Sequence, residues 1–82
     1  MPGVQVNLYA AARAAVGAPS VSTEPGTLAE ILARICADHP KFRAVWPQCS
    51  FLVDGLAVHG DVQAVMIHDG SALDVLPPFA GG

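Results

Sequence analysis

Two cysteines, Cys36 and Cys49, are all this chain carries, too few and too far apart for a CxxC motif or a disulfide framework. Strung together with His39 and His59 they match none of the usual paired spacings of zinc ligands, so no metal site is expected. Basic residues are equally scarce. Arg13, Arg34, Lys41 and Arg43 face seven acidic residues, for a formal net charge of -3, which leaves no electrostatic footprint for a phosphate backbone and excludes nucleic acid as an expected partner. No apolar run approaches the ~20 residues needed to span a bilayer, and the opening Met1-Pro2-Gly3-Val4-Gln5 lacks the basic and apolar regions of a signal peptide. The expectation is a cytoplasmic protein without a membrane partner. Neither a Ser/His/Asp nor a Cys/His grouping has a spacing that favours nucleophilic catalysis, which argues against an independent enzyme.

What is present is apolar and small. With 82 residues there is room for one domain, burying roughly 60% of the surface its unfolded chain exposes. Such a core supplies only about 3–5 kcal/mol of net stability. Yet 52% of the residues are hydrophobic and only 13% charged, and the mean hydropathy is +0.46. A sphere of this size cannot hide that much apolar surface, and a contiguous exposed patch marks a docking face.

Val4-Gln5-Val6-Asn7-Leu8-Tyr9 alternates with the two-residue period of a half-buried strand. Ala10 to Gly17 is Ala-rich and can make a helical turn, but is too short to stand alone as a helix. Pro19 to Glu24 alternates again before the Pro25-Gly26 turn, which predicts a second strand pairing back on the first. Thr27-Leu28-Ala29-Glu30 reads as a capping box. The helix it opens carries Leu28, Ile31, Leu32, Ile35 and Cys36 in one stripe, to be pressed against a sheet, and Pro40 stops it. His39 falls near the helix end, where an imidazolium complements the dipole. Lys41 to Gln48 reads as an irregular crossover whose Phe42, Val45 and Trp46 close over the core.

Ser50 to Val53 is a strand, Asp54-Gly55 supplies a left-handed turn, and Leu56 to His59 a minor strand. Val62 to Ile67 reads equally as a loop, a helical turn or a short strand. After the Asp69-Gly70 turn, Ala72 to Leu76 is the last strand. Asp69 and Asp74 read as a turn former and an exposed strand residue, because acid–base catalysis would also need an enclosing pocket. The order predicts an α+β, β-grasp (ubiquitin-like) domain over residues 1–76, a mixed sheet of four to five strands packed on one main helix.

Residues 77–82, Pro77-Pro78-Phe79-Ala80-Gly81-Gly82, form a projecting tail. Two rings without amide hydrogens cannot continue a central ladder and hold the chain extended. Gly81 and Gly82 then pass where any Cβ would collide. The terminal carboxyl, with a reference pKa near 3.5, is an anion at neutral pH and must be activated before its carbon can be attacked. Attack on the α-phosphate of ATP gives an acyl-adenylate with a good leaving group. Metal, phosphate binding and orientation then belong to the activating partner.

"PPFAGG" resembles the terminus of the ubiquitin-like sulfur carriers. Leu8-Tyr9-Ala10-Ala11-Ala12-Arg13-Ala14-Ala15-Val16-Gly17 resembles the "FAxxRExxG" opening of one branch, the small subunit of molybdopterin synthase, and the Asp69-Gly70 turn, apolar strand and Pro-Pro match that branch too. Thiamine-pathway carriers share the diglycine end but are shorter and lack the Arg-containing opening. The resemblance implies that an E1-like adenylyltransferase activates Gly82 with ATP and that a sulfur donor converts it to a thiocarboxylate. The synthase large subunit then receives the tail, and sulfur passes to a cyclic pyranopterin phosphate in molybdenum cofactor synthesis. No cofactor is bound by the chain itself, which is a reactant rather than a catalyst. Gly82 is the reacting residue, with Gly81, Ala80, Phe79, Pro78 and Arg13 meeting the partners. Phe79 either fills a pocket at the mouth of a partner channel or folds back on its own domain, and Arg13 is either a partner contact or a solvated charge. Ala14 stands where the branch often has an acid, which removes any ion pair made there. The alternatives are a carrier for cysteine or thiamine synthesis, and a ubiquitin-like modifier or interaction module joined to lysines through Gly82.

Overall fold

The computed structural model describes residues 3–78. Val4–Leu8 forms β1, and its alternation is realised, with Val4, Val6 and Leu8 buried and Gln5 exposed. Ser20–Thr23, β2, pairs antiparallel with it. Ala72–Leu76, β7, lies parallel to β1 on the other side, Val6 opposite Leu73 and Leu8 opposite Val75. Ser50–Val53, β4, pairs antiparallel with β7, and the two-residue Leu56–Ala57, β5, closes the far edge. The five-stranded order is β2-β1-β7-β4-β5. A mixed sheet packed on helices in this order is the expected β-grasp architecture.

Leu28–Asp38 is the main helix, α2, and both halves of its capping box are made. Thr27 Oγ1 accepts from the Glu30 N–H at 3.1 Å, and Glu30 Oε1 accepts from the Thr27 N–H at 2.8 Å. All five stripe residues are buried, in one cluster with Val4, Val6, Leu8, Phe51, Leu73 and Val75. The helix stops at His39, where the cap bond is made by the backbone, its N–H donating to the Ile35 carbonyl. The crossover consists of two 3-10 turns, Pro40–Ala44 and Trp46–Gln48, and Phe42 plugs the core from the first.

Three readings are corrected or resolved. The Ala-rich segment is a helix, α1, Ala10–Val16. Its own length does not sustain it; burial of Ala12 and Val16 in the core does, and Gly17, at φ 83°, ends it in the left-handed region. The ambiguous 62–67 stretch is a turn followed by a short strand, Met66–Ile67, β6, which pairs with Gly26–Thr27, β3, apart from the main sheet. Its purpose is plain from the hydrogen bonds. Val65 and Val62 carbonyls accept from the Leu28 and Ala29 N–H groups, satisfying donors that the first turn of α2 leaves unpaired. Asp74 is half-buried rather than exposed, because Asn7 Nδ2 donates to its carboxylate at 2.8 Å across the β1–β7 pair.

Candidate functional site

The sheet delivers its last strand to one place. β7 is flanked by β1 as far as Val75, opposite Leu8, and by β4 to its last residue, with Ser50 opposite Leu76. Beyond Leu76 the ladder stops, because Pro77 and Pro78 have no N–H to donate. As β1 runs parallel to β7, its own end lies at the same edge, and there the chain turns into α1 through Ala10, which adopts φ 51°. A side chain held in the left-handed region costs on the order of 1–2 kcal/mol, and this strain sits beside the root of the tail.

Tyr9, Ala10, Ala11, Ser50, Leu76, Pro77 and Pro78 line an open groove here. It is predominantly apolar, and Tyr9 is 46% exposed, one of three large hydrophobic side chains left in solvent among the described residues, with Leu56 and Met66. Reasoning from sequence missed this groove as a surface. The signal was Tyr9 itself: Val4, Val6 and Leu8 set the buried phase, so the next residue points away from the core.

Of the expected site residues, Pro78 is exposed on the groove wall and Arg13 is exposed in the last turn of α1, whose first turn lines the groove. The Arg13 charge complements the carbonyl end of that helix, so a local role accompanies any partner contact. Phe79, Ala80, Gly81 and Gly82 lie outside the described residues.

Elsewhere the polar groups hold the fold. The backbone turns between β4 and β5 at Asp54 and Gly55, both left-handed at φ 50° and 84°. Asp54 then accepts from the Ala72 N–H and the Ser71 hydroxyl, each at 2.9 Å, tying this hairpin to the start of β7. Those two bonds, the Ala72 one foremost, hold its carboxyl below the usual range. Asp69 lies in the expected turn, and its Oδ1 accepts from the distant Gly3 N–H at 2.6 Å, tying that turn to the start of β1. Cys36 is buried on the core side of α2. Cys49 is half-buried, its Sγ donating to the Val45 carbonyl at 3.3 Å, and burial pushes that thiol up. Among the described residues no group of three His, Cys, Asp or Glu is placed to hold a metal ion, and no helix is long and apolar enough to cross a membrane.

The fold defines a class, the ubiquitin-like β-grasp domains. Within it, a family model matches residues 6–82, and the chain belongs to the ThiS family. No curated protein sequence matches it. Among solved structures, the small archaeal modifier protein 1 from Methanosarcina acetivorans is 20% identical, with 100% of this chain and 99% of that one covered and a TM-score of 0.84. The HVO 2177 protein from Haloferax volcanii is 27% identical over 96% of this chain and 85% of that one, with a TM-score of 0.77. A chain from the complex of subunits 1 and 2 of the molybdopterin-converting factor from Helicobacter pylori is 16% identical, over 96% of this chain and 97% of that one, with a TM-score of 0.69.

Proposed function

We propose that this chain is a carrier and modifier activated at its own terminus: an E1-like enzyme adenylates the Gly82 carboxylate, and the acyl group is then handed to a sulfur or amine nucleophile. The observation that carries the reading is the place where β7 ends. A central strand, flanked by β1 as far as Val75 and by β4 to its last residue, runs straight into Pro77-Pro78 and a side-chain-free terminus. The rigid part of the molecule therefore aims the reacting part, and the groove around Tyr9 and Leu76 supplies apolar surface for an enclosing partner next to it. Residues 77–82 act as the inserted tail, with Phe79 as its anchor and Gly81 and Gly82 threading a narrow channel.

The chain's likeness to an archaeal modifier and its membership of the ThiS family support a role wider than molybdopterin synthesis. Sulfur transfer for another pathway and attachment to protein amines both follow from the same activated carboxyl. Donation of a Gly82 thiocarboxylate to a pyranopterin, with a synthase large subunit as partner, is the second reading. It is favoured by the Arg13 segment, folded as a helix beside the tail root, and by likeness to a subunit found in a two-subunit complex. Incubation with MgATP, an E1-like adenylyltransferase and a sulfur donor tests the proposal by intact mass. A sulfur-for-oxygen exchange or an acyl transfer located at Gly82 is expected. An unchanged mass, while the same enzyme activates a known carrier, would sink it. Loss of molybdoenzyme activity on deletion of the gene, with other sulfur products intact, separates the second reading from the first.

A further inference from the structure

A second groove, of about 450 Å³, lies against α2 and shares no lining residue with the one at the tail root. Leu32 and Cys36, both buried, and half-buried Ala29 form its floor, and half-buried Trp46 and Val62 stand at its sides. Both sides are fixed. The turn of Trp46 is closed by the Cys49 N–H donating to its carbonyl at 3.0 Å, and the Val62 carbonyl accepts from the Ala29 N–H at 3.1 Å. The volume is that of an ordinary ligand pocket. Arg43, exposed, is the one charged residue in the lining. Arg34 is committed within the fold, donating to the Glu24 carbonyl at 2.7 Å, whereas Arg43 has no such partner among the described residues. A preformed apolar groove with a guanidinium at its rim fits a short apolar segment that ends in a carboxylate.

We infer that the occupant is the terminal segment Phe79-Ala80-Gly81-Gly82 of a second copy of this chain, its aromatic ring against Trp46 and its Gly82 carboxylate paired with Arg43. Charge complementarity selects it. Of the seven acidic side chains, Glu30, Asp54, Asp61, Asp69 and Asp74 already accept hydrogen bonds within the fold. Glu24 lies between Thr23 and Pro25, and Asp38 between Ala37 and His39, so neither brings a large apolar side chain to the floor. The tail alone joins an anion to an aromatic ring, with only Ala80 and Gly81 between Phe79 and Gly82. Such small residues lie along a groove without steric conflict, and ring against indole adds an aromatic contact. Pro77 and Pro78 line the other groove, and their fixed φ leads the chain outward from there, so the recipient is a neighbouring molecule. Each copy offers one tail and one groove, which makes the contact heterologous and repeatable head to tail. Docking needs only the free carboxylate and stands apart from any activation of Gly82.

Trp46 is the only tryptophan of the chain, so its fluorescence reports occupancy of the groove directly. The full chain, dilute, is titrated with the peptide Pro-Pro-Phe-Ala-Gly-Gly as the free acid and as the C-terminal amide, beside its R43Q and A33E variants. A saturable response to the acid is expected, about tenfold weaker or more with the amide or with R43Q, as the loss of one charge-assisted hydrogen bond requires. A33E, at an exposed position of α2 that lines the groove, should abolish the response and keep the urea midpoint of the wild type. In sedimentation the mean mass of the full chain should rise with concentration, and it should stay that of one chain in R43Q and F79A. No Trp46 response, or equal responses to acid and amide, overturns the site. Discrimination between the peptides with a mass that never rises overturns the second copy as occupant.

Discussion

Truncating Leu73 to alanine tests whether the strand that aims the tail is held by the core described above. Leu73 is fully buried near the start of β7, opposite Val6 on one side and Val53 on the other. Deleting a buried leucine side chain costs about 2–5 kcal/mol, the transfer term plus the cavity it leaves. A domain of this size holds only about 3–5 kcal/mol in total. L73A should therefore lose roughly 40% of its stability or more. With a urea slope near ~1 kcal/mol/M, the low end for small proteins, the unfolding midpoint should fall by about 2 M or more. Leu56, 74% exposed on the β5 edge, is the internal control, and L56A should stay within about 0.5 kcal/mol of wild type. Urea titrations followed by far-ultraviolet circular dichroism and Trp46 fluorescence give both midpoints. A loss of less than about 1 kcal/mol in L73A, or an equal loss in L56A, would refute the packing scheme.

Thr27→Ala removes the acceptor for the Glu30 N–H and should cost about 1 kcal/mol, read from the same urea titrations; an unchanged midpoint would mean the capping box contributes nothing. Asp54 lies below its ordinary value of 3.8, so its contribution is whole above that value and is lost as pH falls through the folded-state pKa. The stability gap between wild type and D54N should accordingly narrow from neutral to strongly acid pH, and a gap independent of pH would contradict the assignment of its two hydrogen bonds. Tyr9→Ala should leave the unfolding midpoint nearly unchanged, because the ring is half in solvent, while weakening capture of the chain by its activating enzyme, measured as a higher KM in pyrophosphate exchange. Equal KM values would remove the groove from the docking surface.

Where hydrophobic period and local chemistry agree, the residues announce the structure. Val4, Val6 and Leu8 alternate and are buried; Leu28 through Cys36 form a stripe and are buried; Thr27 and Glu30 cap as their spacing requires. Asp54-Gly55 makes the left-handed turn that its residue types favour. Elements sustained by distant contacts were not legible. The α1 segment is too short to be helical by itself, and the core contacts of Ala12 and Val16 that hold it are set by tertiary packing. The 62–67 segment carries no clear period because its work is done by backbone carbonyls, which cap α2 and leave no mark on side-chain pattern. The same applies to the groove. Tyr9, Ser50 and Leu76 are brought together only because β1, β4 and β7 meet at one edge. The proposed role of Gly81 and Gly82, by contrast, rests on composition and on the chemistry of a free carboxylate, and falls outside the described residues.

Pyrophosphate exchange by the E1-like adenylyltransferase, comparing the native chain with one carrying a single extra alanine after Gly82, probes the central claim most directly. The native terminus should support exchange and accept the transferred group at Gly82, while the extended chain, equally well folded, should support none. Undiminished exchange by the extended chain, with the alanine still in place, would contradict the account.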